Sequence, residues 1–215
     1  MSKYEDKDIC SRCGGFCCKK SGCDYSTDNF TDLSINALQE KLAEGNMSIV
    51  AMLNFHELSN GKLTVSPFLY LRARNKDRDV VDLLSLKKTC SMLTDTGCSY
   101  SLEDRPKGGV NLLPRDPKPC IPDVDPYEIV KGWERYQKVL QRLVKRITGM
   151  SVDAKLREDV INLYVDILEE NFDGVSPIEI EDIRGMIFSL IKVYPEELRI
   201  AQKRVNDRKK VYVNK

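Results

Sequence analysis

Cys10-Ser11-Arg12-Cys13-Gly14-Gly15-Phe16-Cys17-Cys18 is the stretch from which the rest of this 215-residue chain is read. With Cys23 it places five of the eight cysteines inside fourteen residues, and the others are Cys90, Cys98 and Cys120. Cys10 and Cys13 form a C-x2-C knuckle, the spacing that lets both sulfurs reach one ion. Gly14 and Gly15 let the backbone fold back where a side chain would crowd a metal. Cys17 and Cys18 are neighbours, and in extended backbone their side chains point opposite ways. They imply two sites, or one multinuclear site with bridging sulfurs. The spacing is neither the C-x3-C-x2-C of enzymes that cleave S-adenosylmethionine with an iron–sulfur cluster nor the C-x2-C-x2-C-x3-C-P run of bacterial ferredoxins.

Working outward, Met1 to Asp8 contain no apolar segment of a secretory signal, and no run approaches the roughly 18 apolar residues that span a bilayer. The expectation is a soluble cytoplasmic protein with no membrane partner. Thiols in that compartment are kept reduced, so a dense cysteine pattern points to metal or catalysis in preference to four disulfides. With 34 basic and 33 acidic side chains the net charge is +1, which gives no global field to steer the chain to nucleic acid or anionic lipid. Nucleic acid is therefore not an expected partner.

Cys90 and Cys98 enclose a turn at Asp95-Thr96-Gly97 and can converge from its two arms. Cys120 ends a stretch from Arg105 that is rich in proline and glycine and reads as irregular backbone pinned at its cysteine. Between the two cysteine groups, Ser34 caps a helix with Ile35, Leu38 and Leu42 on one face and Gly45 as its stop. Residues 51–58 and 62–66 flank Ser59-Asn60-Gly61, a hairpin signal because both Asn and Gly tolerate positive φ. Pro67 is expected to interrupt, with a further strand over 68–74, giving a small antiparallel sheet of two or three strands. Arg72 and Arg74 suit an anion or a solvated face, and Asp24 and Asp95 suit turns better than ligation. His56, the one histidine, reads as a surface residue of the hairpin.

After Asp123 the cysteines stop and amphipathic helices begin. Tyr127, Val130, Trp133, Tyr136, Leu140, Leu143 and Ile147 make one stripe of about five turns ended by Gly149. Ser151 caps a second helix running to about Phe172. Ser176-Pro177-Ile178-Glu179 is a capping box opening a third, and Pro195 opens a fourth that ends in the basic tail 208–215. The expected class is α+β: an irregular cysteine-rich metal-binding module with a small antiparallel sheet over 1–122, and a helical region over 123–215 packed on it.

Cys10, Cys13, Cys17 and Cys18, followed by Cys90-Ser91-Met92-Leu93, Gly97-Cys98-Ser99-Tyr100 and Arg105-Pro106, resemble the YkgJ-like cysteine-cluster family. That family is described as zinc- or iron-chelating, with a CxxCxxCC-like start and a later C-x-x-L, G-C-x-x-Y, R-P and C. The likeness spans about residues 8–122. It departs from the pattern in the three residues between Cys13 and Cys17, in the added Cys23, and in the missing thiol soon after Pro106, whose place Cys120 would take across an insertion.

The dense cysteine pattern makes all eight thiols candidate metal ligands: the resemblance implies Cys10, Cys13, Cys17, Cys18, Cys90 and Cys98, with Cys120 in the place of the missing thiol, and Cys23 is added by its position in the cluster. Zinc, iron and an iron–sulfur cluster all accept thiolates. Iron would make the site redox-active, whereas closed zinc sites would be structural and leave the helical region to bind a protein partner. Thiol redox chemistry at the C-x2-C pair is a third reading. Neither a reaction nor a catalytic residue follows.

Overall fold

Two eleven-residue strands frame the molecule in a computed structural model that describes residues 6, 8–9, 12, 15, 18–19, 23–76, 78–86, 89–95, 97–115, 120–171 and 177–213, with side chains from 183 to 209 in its last two helices. β1 (Met47–Glu57) and β2 (Leu63–Ala73) pair antiparallel from Met47 opposite Ala73 to Glu57 opposite Leu63. The turn forms where expected, but Asn60 does not take positive φ. Gly61 does, at φ 76°, donating its N–H to Leu58 O at 2.9 Å, while Leu58 N–H pairs with Lys62 O. A three-residue loop with glycine in the left-handed position results.

Pro67 does not interrupt the sheet: it lies inside β2 opposite Leu53. The reason is parity. Leu69, Leu71 and Ala73 direct their backbone groups away from β1, towards Gln137, Tyr25 and Cys23, so Pro67 shares the outward-facing set and its missing N–H breaks no ladder bond. The outer edge of β1 is likewise used. Ile49 N–H donates to Val80 O at 2.8 Å, Ala51 N–H to Leu83 O at 3.0 Å, and Ile49 O accepts from Asp82 N–H at 3.0 Å. Both edges of this two-stranded sheet are thus occupied by segments that are not strands.

The helix α1 (Ile35–Ala43) starts at Ser34, whose hydroxyl accepts from Ala37 N–H. It buries Leu38 and Leu42 against β1 and the helical region. Two short hairpins follow: β3 (Leu93–Thr94) with β4 (Gly97–Cys98), and, after the single turn α2 (Lys107–Val110), β5 (Leu112–Leu113) with β6 (Ile121–Pro122).

The expected five-turn stripe is broken in three: α3 (Pro126–Val130), a 3-10 segment (Lys131–Tyr136) and α4 (Gln137–Thr148). Tertiary contacts set the break. A Cβ on Gly132 would stand 2.5 Å from Thr27 Oγ1, Trp133 Nε1 donates to Tyr25 O at 2.7 Å, and the Gln137 amide takes both backbone groups of Leu69. Trp133, Leu140, Leu143 and Val144 are fully buried, whereas Tyr127 and Ile147 at the ends of the stripe are exposed.

Ser151 caps α5 (Val152–Leu168), as expected, but the helix stops at Leu168, with Glu170 at φ 54°. Phe172 and the Ser176 side of the capping box lie outside the described residues. Pro177 and Pro195 open α6 (Pro177–Val193) and α7 (Pro195–Val213), so the basic tail is helical to Val213, and Arg208 pairs with Glu169 at 3.0 Å. The class is α+β, with one continuous apolar core from Tyr25 to Val205 that includes residues from both sides of position 123. Among the described residues no helix is long and apolar enough to cross a membrane.

Candidate metal centre

Backbone pairing along one edge of β2 brings separated cysteines together. Cys23 O accepts from Ala73 N–H at 2.8 Å and Tyr25 N–H donates to Leu71 O at 2.9 Å, so residues 23–25 lie beside the strand. Beyond its end, Lys76 N–H donates to Thr89 O and Ser91 N–H to Arg74 O, each at 2.8 Å, which sets Asn75 opposite Cys90. Cys90 N–H then donates to Cys18 O at 2.8 Å. Cys98 arrives through the β3–β4 hairpin, where it pairs with Leu93. The C-x7-C spacing does turn back on itself as its sequence suggests.

Two close approaches lock this arrangement. Gly15, at φ 74°, approaches β3 so closely that a Cβ there would be 2.1 Å from Leu93 Cδ1. On the other side, Gly108 N–H donates to Asp24 O at 2.9 Å, and a Cβ on Gly109 would be 2.8 Å from Cys23 Sγ. The Arg105-Pro106 element thus leads into a turn packed directly on a thiol.

Burial pushes the Cys23 thiol well above its ordinary range, and Cys18, Cys90, Cys98 and Asp24 push it further up. Burial also raises Cys90, with Cys98 adding to it. Thiols that oppose one another's ionisation are what a bound dication would reverse. Two buried polar atoms flanking Cys90, Asn75 Oδ1 and Ser91 Oγ, have no partner among the described residues. Donor chemistry and orphaned polar atoms both fit a thiolate-bound metal. The group itself is not formed among the described residues, where no three His, Cys, Asp or Glu side chains are arranged to hold a metal ion. Cys10, Cys13 and Cys17 lie outside those residues.

Other candidates go elsewhere. Cys120 is half-buried just before β6 and is not among the thiols acting on Cys23. Asp24 is not a turn residue: it sits in the segment beside β2, and its carboxylate accepts from Arg72 Nε at 2.6 Å. Arg72 also donates to Tyr70 Oη at 2.9 Å, and Arg74 Nε donates to Arg78 O at 2.7 Å, so neither arginine is held out for an anion. Asp95 is an exposed turn residue, and His56 is exposed on β1 with Nδ1 3.3 Å from Asn54 O. A separate cavity of about 270 Å³ lies between residues 78–86 and α5, where Asp82 pairs with Arg78 and Asp159 with Lys155.

Sequence reasoning passed over Asn75, Ser91 and Gly109. Gly108-Gly109 beside Arg105-Pro106 was the available sign, legible as a loop but not as a contact with Cys23. Set against known proteins, the chain is matched by no family model, no curated protein and no solved structure.

Proposed function

We propose that this chain is a cytoplasmic cysteine-cluster protein of the YkgJ-like kind that holds zinc or iron through thiolates. The observation that carries the reading is the lacing of Cys18, Cys23 and Cys90, from separated stretches, to one end of the hairpin by backbone hydrogen bonds, with Cys98 arriving through β3 and β4. Cys10, Cys13 and Cys17 would complete the donor set, the first two through their C-x2-C spacing. Cys120 is the ligand with least support. A bound metal would supply either electron transfer, if iron or an iron–sulfur cluster, or cross-linking of a loop-rich region, if closed zinc sites.

Metal analysis of protein purified without oxygen, together with its visible spectrum, tests this. Brown protein with iron and sulfide supports a redox centre. Colourless protein with about two zinc ions per chain, the number that eight thiolates suit at four per ion, supports structural sites. Metal-free protein with eight titratable thiols and an unchanged fold overturns the reading.

The structural alternative has its own support, because the helical region offers an apolar surface for a protein partner: Phe188 on α6 is 74% exposed, with Ile191 one turn on.

A further inference from the structure

The outer face of α4 and the turn before it carries one sign of charge. Arg135, Lys138, Arg142 and Lys145 recur three or four residues apart, all exposed, opposite the buried Leu140, Leu143 and Val144. None of these four side chains has an ion pair or hydrogen bond with another described residue. Arg146 beside them donates only to the neutral amide oxygen of Asn36, at 3.1 Å. Glu134 is exposed in the same turn as Arg135, and Asp153 on the facing helix is already engaged by Arg157 at 2.9 Å. Lys138, Arg142 and Lys145 also form one wall of a shallow groove, whose other wall is Ser151, Val152 and Asp153 at the start of α5. The chain's net charge of +1 is an average that conceals this face.

We infer that this face docks the sugar-phosphate backbone of a nucleic acid without reading its sequence. Charge complementarity selects a polyanion, and the polar character of every exposed position from 134 to 146 selects among polyanions. Between residues 134 and 146 the exposed positions are Glu134, Arg135, Lys138, Gln141, Arg142, Lys145 and Arg146. An acidic protein would find no aromatic or aliphatic anchor there, and a bilayer would receive no apolar wedge. A phosphate row needs only cations. Lys138 to Lys145 spans about 10 Å of helix, against a duplex that carries one negative charge per roughly 1.7 Å of axis, so three or four phosphates come within reach.

The test is fluorescence anisotropy of the full-length chain with a labelled 20-base-pair DNA duplex of arbitrary sequence, titrated at several potassium chloride concentrations from 50 mM upward. The expected result is sequence-independent binding whose logarithm falls with log salt at a slope near −3. Lys138→Glu, Arg142→Glu and Lys145→Glu together should weaken binding at least 100-fold with melting temperature unchanged. Lys203→Glu with Lys209→Glu on α7 should leave it intact. If the triple variant melts early, the single alanine variants serve instead, each lowering the slope by about 1. No binding at 50 mM salt, or binding indifferent to these variants, overturns the inference. So does equal or tighter binding of poly-glutamate or of phosphatidylserine vesicles through the same residues, which would assign the face to an acidic protein or a membrane.

Discussion

The region around the hairpin and the helical region after it are ordered by different forces. Around the hairpin, segments with little regular structure are laced to both edges of β1–β2 by backbone hydrogen bonds, and glycines allow contacts such as Gly109 against Cys23. In the helical region, apolar side chains three and four residues apart are buried as a stripe, and helix ends are set by Ser151, Gly149 and the two prolines. Side-chain periodicity is local and repeats, so a helix forms wherever it occurs. Lacing depends on which distant strand edge is free. On the metal-binding reading proposed above, the cysteine region depends on its thiolate ligands far more than the helices do.

The largest effect should come from removing those ligands. Replacing Cys13 or Cys17 by Ser should lower metal per chain and speed hydrogen exchange at the amides of Tyr25, Cys90, Ser91 and Leu93, while amides of α5 and α7 stay protected. Full metal occupancy in the Cys13 variant would break the contrast. Next, Trp133→Ala should cost about 4 kcal/mol. It should destabilise both regions together, because its indole both fills the shared core and donates to Tyr25 O. Separate melting of the two regions in that variant would show the core to be divided. Arg72→Met leaves Asp24 half-enclosed without its cation, at an expected cost of about 3 kcal/mol read by urea unfolding. Ser151→Ala removes one cap and should cost about 1 kcal/mol, confined to the α5 end of the helical region. Last, His56→Ala should change stability by less than about 0.5 kcal/mol and leave bound metal unchanged.

The same contrast explains how much could be read in advance. Ser34, Ser151, Pro177 and Pro195 mark helix starts because the marker and the element are neighbours. Asn60-Gly61 marks the turn for the same reason. Pro67 misleads, since its effect depends on which side of β2 is paired, and that is decided by a segment forty residues away. The break at Lys131–Tyr136 is equally hidden, for it answers to Thr27, Tyr25 and Leu69. At the candidate site, the turn between Cys90 and Cys98 was legible, and β3 and β4 pair across it. Nothing local announces that Asn75 faces Cys90 across a bridge or that Asp24 belongs to Arg72.

The occupied edges of the hairpin carry one more consequence. An open strand edge is a template on which another copy of the chain can add, strand by strand, towards aggregate. Residues 23–25 close the β2 edge, and they begin at a cysteine of the candidate centre. A chain in which residues 23–25 let go would uncover Leu71 and Ala73 before its helices melt, so failure of the candidate centre would be seen first as clumping rather than as unfolding.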